Sequence, residues 1–216
     1  DYIFFTGGIE AGKEVMKKAA ERLTPLTLEL GGKCPAIIEH DYPVEKAAKS
    51  IAWGKFFNAG QSCVAPDYVL IPKEMEQDFI EAFGRCISEF MKNEESDYTR
   101  IVSKRHFDRL MGYFKQGEVL FGGETDSEKL VIKPSLIMPN SLDEPVMKEE
   151  IFGPILPVIS YTDKAEVLAI LRNQSKPLVV NIFSNRRKAQ SYWLSNTYSG
   201  NVCINDTNIN YANKNL

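Results

Sequence analysis

Short apolar runs alternating with stretches of helical period are the feature that most limits the folds open to this chain. Val15, Met16, Ala19, Ala20 and Leu23 mark one helix face after Gly12, and apolar runs follow at Leu26 to Leu30 and Ala36 to Ile38. A second helix is expected from Val44 to about Phe57, with Ala48, Ile51, Ala52 and Lys55 on one side. Tyr68 to Ile71 reads as a strand stopped by Pro72. Phe79, Phe83, Ile87 and Met91 line one helix, and Phe107, Leu110, Met111 and Phe114 another. Further strands are expected at Val119 to Phe121, Ser135 to Met138, Ile155 to Ile159, Leu178 to Phe183 and Val202 to Ile204. Helices at about 163–172 and 186–196 separate the last three. Parallel strands need long crossovers, and helices supply them, so this order predicts an α/β fold with a mostly parallel sheet flanked by helices. The Gly31-Gly32 turn breaks the pattern, which places a change of subdomain near residues 25–35.

Composition matters mainly for what it excludes. A net charge of −3 gives no basic footprint, so nucleic acid is not an expected partner. No apolar run approaches the roughly 20 residues of a bilayer span. The opening DYIFFTGG has neither the basic region nor the apolar core of a signal peptide. Four cysteines without CxxC or metal spacing fit a reducing compartment, and a cytoplasmic location is expected. No cluster of His, Cys, Asp or Glu has metal-ligand spacing. The chain opens inside an apolar strand, Tyr2 to Phe5, and closes on the polar run NDTNINYANKNL, so both ends read as cut.

Two glycine-rich segments carry the chemistry. TLELGGKCP sets Glu29 before a Gly-Gly turn, and NAGQSC sets Cys63 in a small, polar loop. A thiol that attacks a carbonyl must act as thiolate and needs a base to complete turnover. Cys86 in a periodic helix and Cys203 in the strand VCI read as core, and Cys34 as a turn residue near the site. Glu29 is the odd charge in an apolar strand. Alternation alone would make it solvent-facing, but its position before Gly31-Gly32 can equally put it at the lip of a cleft.

GGIEAGK (Gly7 to Lys13) has the spacing of a phosphate-binding P-loop, but Glu14 follows where a magnesium-binding hydroxyl belongs. The helix that opens there can still hold a simpler phosphate through free N–H groups, or the glycines can serve only the turn. His40 and His106 are the only histidines, and neither lies in a loop of catalytic character. EEIFGPILP places Glu149 and Glu150 before a Gly-Pro turn and a strand. Beside a cofactor, a carboxylate there could hold a ribose diol while Phe152 packs on a ring.

Together FTGG-x3-GK, LTLELGGKCP, FFNAGQSCVAPDY, KPSLI, EPVMKEEIFGPILPV and SGNVCIN resemble the aldehyde dehydrogenase superfamily over nearly the whole chain. The wording VAPDY and EEIFGPILPVISY is most similar to its class 3 branch, which acts on fatty and aromatic aldehydes. The resemblance implies NAD(P)-dependent oxidation of an aldehyde to a carboxylic acid through a cysteine thioester. Cys63 would be the nucleophile and Glu29 the general base. NAD or NADP would lie with Gly7 and Gly8 by its pyrophosphate, the Leu30 backbone by the nicotinamide, Glu150 on the adjoining ribose and Phe152 near the nicotinamide. Residues 1–30 would be a remnant of the NAD(P)-binding domain and 31–216 the catalytic domain, truncated before the family's C-terminal segment. A homodimer is implied for the full-length protein.

Departures from the family pattern are few within the chain. Gly8 stands where serine is usual, and Cys34 where serine or threonine is common. The front of the cofactor domain, with the residue that chooses NAD or NADP and an asparagine donor to the oxyanion, has no counterpart here. The chain by itself is therefore expected to be nearly inactive. Two other readings stay open: a non-catalytic binding or assembly relative of the same fold, and a cofactor-free thiol esterase using His40 or His106.

Overall fold

A computed structural model describes residues 1–92 and 98–209. The last part of the polar run, 210–216, lies outside the described residues. The elements in order are β1 (Ile3–Gly7), α1 (Ile9–Ala20), β2 (Leu26–Leu30), β3 (Pro35–Ile38), α2 (Val44–Phe56), β4 (Tyr68–Pro72) and α3 (Glu76–Met91). There follow α4 (Lys104–Tyr113), β5 (Gly117–Phe121), β6 (Thr125–Asp126), β7 (Val131–Ile132), β8 (Ser135–Pro139) and α5 (Pro145–Lys148). The series ends with β9 (Ile155–Tyr161), α6 (Lys164–Arg172), β10 (Val179–Phe183), α7 (Arg187–Asn196) and β11 (Asn201–Ile204).

The main sheet runs β11-β10-β3-β4-β9-β8-β5. Every pairing in it is parallel except β5 with β8. Alternating side chains of the inner strands feed two cores, one on each face. Ile37, Leu70 and Ile182 join Phe107, Leu110, Val167 and Trp193 of α4, α6 and α7. Ala36, Ile38, Val69 and Ile71 join Ala48, Ile51, Phe79 and Phe83 of α2 and α3. Covering both faces explains why these strands read as unbroken apolar runs.

β1 and β2 form a separate parallel pair, bridged by α1. The two sheets are joined at residues 31–34, where the Gly-Gly turn suggested a change of subdomain. Two details depart from expectation. α1 starts at Ile9 rather than after Gly12, and Leu23 lies beyond its end, 89% exposed with φ of 51°. Gly12 is tolerated inside α1 because a Cβ there would lie 2.8 Å from Leu30 Cδ2, so its bareness admits the neighbouring strand.

Candidate active site

The Cys63 loop follows α2 through three consecutive residues in the left-handed region: Asn58 (φ 53°), Ala59 (φ 52°) and Gly60 (φ 71°). For non-glycine residues this conformation costs roughly 1–2 kcal/mol each, so other contacts must hold it. Gln61 supplies several. Its Nε2 donates to the Asn58 carbonyl at 3.2 Å and the Arg100 carbonyl at 3.1 Å, and its Oε1 accepts the Val102 N–H at 2.9 Å. Gly60 presses against the loop before β9: a Cβ there would sit 2.3 Å from the Gly153 carbonyl oxygen. The thiol loop and the EEIFGP loop therefore pack backbone to backbone.

A cavity of about 1050 Å³ opens where these loops meet the end of β2. Glu29, Cys63, Gly7, Gly8, Glu150 and Phe152 all line it. Of the site residues expected from sequence, only Leu30 does not. Its side chain packs at Gly12 of α1, while Glu29 and Gly31 on either side of it face the cavity. Glu29 comes from β2 of the small sheet and Cys63 from the loop that leads into β4 of the large one.

The resting cleft does not give Cys63 a low pKa. Burial pushes its thiol up, the Glu150 and Glu29 carboxylates add to that, and the main-chain N–H groups of Cys63 and Val64 pull the other way. Glu150 is itself pushed up to about 7, first by burial and then by Asp67, against the Gly32 N–H that its carboxylate accepts. Its Oε1 is buried without a hydrogen-bond partner. A Cβ on Gly31 would lie 2.0 Å from Glu150 Oε2, so glycine is needed for the carboxylate to fold back against this turn. A buried, orphaned carboxylate oxygen at the edge of a wide cavity suits a ligand hydroxyl pair, and the residues present fit the ribose of a dinucleotide.

Two groups missed in the sequence hold this arrangement. Asp67 is buried beside two buried lysines, with Lys33 Nζ at 2.5 Å and Lys55 Nζ at 3.6 Å. The one available signal was Lys55 lying on the apolar side of α2. The second group comes from α4. His106 Nε2 lies 2.7 Å from the Phe152 carbonyl oxygen, and Arg109 donates to the carbonyls of Glu150 at 3.1 Å and Ile151 at 2.7 Å. These contacts support Phe152, whose φ is 51°. The Nδ1 atom of His106 accepts from Arg109, and burial lowers the ring's pKa, so the imidazole is neutral with both nitrogens engaged. His40 sits elsewhere, 2.5 Å from Glu74 after β3. Neither histidine offers Cys63 a free base.

The sequence matches the model of the aldehyde dehydrogenase family over residues 1–215. Aldehyde dehydrogenase family 3 comG of Dictyostelium discoideum is 39% identical over 219 residues, spanning 100% of this chain and 47% of that protein. The dimeric, NADP-preferring aldehyde dehydrogenase of Rattus norvegicus is 38% identical, covering 95% of this chain and 46% of its own length. Among solved structures, a substrate-bound Staphylococcus aureus AldH superposes with a TM-score of 0.95 at 38% identity, covering 100% of this chain and 48% of that one. The NAD+ complex of a Bacillus cereus aldehyde dehydrogenase gives 0.87 at 30% identity, over 96% of this chain and 44% of that one. The chain thus spans about half the length of the relatives it matches. With its fold, its thiol and its carboxylate in one cleft, it belongs to the aldehyde dehydrogenase family.

Proposed function

We propose that this chain carries the covalent half of an NAD(P)-dependent aldehyde oxidation. The observation that carries the reading is the convergence of Glu29, from the end of β2, and Cys63, from the loop that leads into β4, on one cavity with Glu150. The Cys63 thiolate adds to the aldehyde carbon, forming a C–S bond as the carbonyl π bond opens to an oxyanion that the Cys63 main-chain N–H can hold. NAD or NADP, when bound, supplies the hydride acceptor. Oxidation of the adduct leaves an acyl thioester on Cys63. Glu29 takes a proton from water, the water attacks the thioester, and the C–S bond breaks to release the acid. Gly7, Gly8, Glu150 and Phe152 would hold the cofactor, with the Leu30 main chain beside it.

Apolar aldehydes of fatty or aromatic type are the proposed substrates, as the class 3 resemblance of VAPDY and EEIFGPILPVISY implies. A cytoplasmic homodimer with residues 1–30 belonging to the cofactor domain completes the proposal. Among the described residues no helix is long and apolar enough to cross a membrane. Because the chain spans about half of its relatives, its turnover alone is expected to be slight. The test uses the protein at the length of those relatives, with an aldehyde and NAD or NADP. Acid should form, Cys63→Ser should abolish it, and Glu29→Gln should trap an acyl group on Cys63 visible by mass spectrometry. Turnover that survives Cys63→Ser would overturn the reading. Ester cleavage without cofactor that depends on His106 would favour a hydrolase instead.

A further inference from the structure

Cys34, Cys63 and Glu150 precede β3, β4 and β9, so the thiol cleft lies at the amino ends of these strands. The carboxyl ends carry a second cavity, about 490 Å³, that the proposed reaction does not use. Its walls come from the residues after β3 (Glu39, His40, Asp41), from Lys164 after β9, and from Arg186 and Lys188 after β10.

The topology makes a crevice here. β3 and β10 are neighbours, but the chain leaves them in opposite directions: from β3 through α2 to β4, and from β10 through α7 to β11. α2 packs on one face of the sheet and α7 on the other. Where adjacent parallel strands send their connections apart, the carboxyl edge is left open, and open α/β sheets bind ligands at that point.

Charge selects the kind of ligand. Glu39 is neutralised from within, by Lys164 Nζ at 2.6 Å and the Trp193 indole N–H at 2.5 Å. Asp41 accepts the Ser184 hydroxyl and the Asn185 N–H, each at 2.8 Å. His40 turns to Glu74. Both carboxylates thus brace the walls, and Lys164 is fixed further by the Tyr192 ring, 4.9 Å from its ammonium. Arg186 and Lys188 are exposed and, among the described residues, pair with no carboxylate. They stand with Arg187 at the start of α7, where no acidic residue and no side-chain cap is present. Three cations at the positive end of a helix reverse the favourable arrangement, and the single Asp41 carboxylate on the neighbouring Asn185 N–H offsets it only in part.

We propose that this crevice binds a phosphate-bearing anion, gripped by Arg186 and Lys188, unpaired among the described residues, beside the Lys164–Glu39 ion pair. The proposal is independent of the roles given to Cys63 and Glu29. It is tested on the chain itself by titrating inorganic phosphate and pyrophosphate at constant ionic strength and following backbone amide shifts, with chloride as control. Saturable shifts should cluster in residues 39–41 and 184–192, with pyrophosphate binding more tightly than phosphate. The double variant Arg186→Gln/Lys188→Gln should weaken binding about tenfold or more, since charge-assisted contacts carry it. Arg187→Gln, outside the lining, should bind as the parent does. A circular dichroism melt confirms that each variant is folded. Non-saturable shifts, undiminished binding by the folded double variant, or equal loss in Arg187→Gln would each overturn the proposal.

Discussion

Asp67 Oδ1 accepts the main-chain N–H of Ile151 at 3.1 Å, so the residue that leads from the Cys63 loop into β4 is tied directly to the residue after Glu150. Lys33, paired with Asp67 through Oδ2, donates to the carbonyls of Glu149 at 3.0 Å and Val146 at 2.7 Å. Glu150 is therefore held from both sides by one buried ion pair. The same pair connects the Glu29 segment to the Cys63 segment, since Lys33 and Asp67 lie just beyond each.

Asp67→Ala should cost about 3–5 kcal/mol, because two buried ammonium groups lose their counter-charge. Burial, with Lys33 adding to it, pushes Lys55 down to about 8 even though Asp67 pulls the other way. Urea unfolding followed by tryptophan fluorescence measures the loss. Asp67→Asn, which keeps an acceptor for the Ile151 N–H, should lose less. A loss under about 1 kcal/mol for the alanine variant would contradict the placement of this cluster in the core.

Glu150 gives a pH signature. Its folded-state value of about 7 lies above the ordinary 4.5, so the folded chain holds that proton more tightly than the unfolded one. The resulting stability is fully present below about pH 4.5 and lost as pH rises through about 7. Denaturation midpoints across this window should fall with pH at this site, and Glu150→Gln should flatten that part of the profile. An unchanged slope in the variant would count against the burial of the carboxylate.

The thiol responds to its neighbours. With burial, Glu150 and Glu29 all opposing the thiolate, Glu29→Gln and Glu150→Gln should each speed alkylation of Cys63 near neutral pH. Labelling of Cys86, in α3, should not change. Cys34, fully buried and pushed up to about 12, should label slowest. Peptide mapping after a timed iodoacetamide pulse reads all three, and equal Cys63 rates in parent and variants would sink the prediction.

Glycines at the site are not equivalent. Gly60→Ala should destabilise by about 1–3 kcal/mol, since φ is +71° and the new Cβ would meet the Gly153 carbonyl. Gly8→Ala should change stability by no more than about 0.5 kcal/mol, because nothing lies within 4 Å of a Cβ there. Thermal midpoints compare the pair, and a Gly8 variant as damaged as the Gly60 variant would show that space does not govern these positions.

Most strands and helices were legible because their periods are local: the pleat repeats every two residues and the helix every 3.6, whatever packs against them. β9, β10, α2 and α6 all lie within two residues of where apolar spacing put them. The two-residue strands β6 and β7 were not, being too short to show a period. Glu29 and Cys63 could be named from sequence because their glycine-rich settings are contiguous in the chain.

What only the tertiary structure decided was which distant residues share a space. Lys33, Lys55, Asp67 and Ile151 converge because β3, β4 and β9 lie side by side, an order set by long crossovers and not by local pattern. The same folding raises the Cys63 pKa, first by burial and then by the Glu150 and Glu29 carboxylates, and turns His106 from a spare base into a support for the Phe152 carbonyl. The proposed reacting groups, Cys63 and Glu29, were legible because each sits in a contiguous motif that resembles the family's. Their burial and charge environment came from contacts across dozens of residues, where solvation and Coulomb terms are determined.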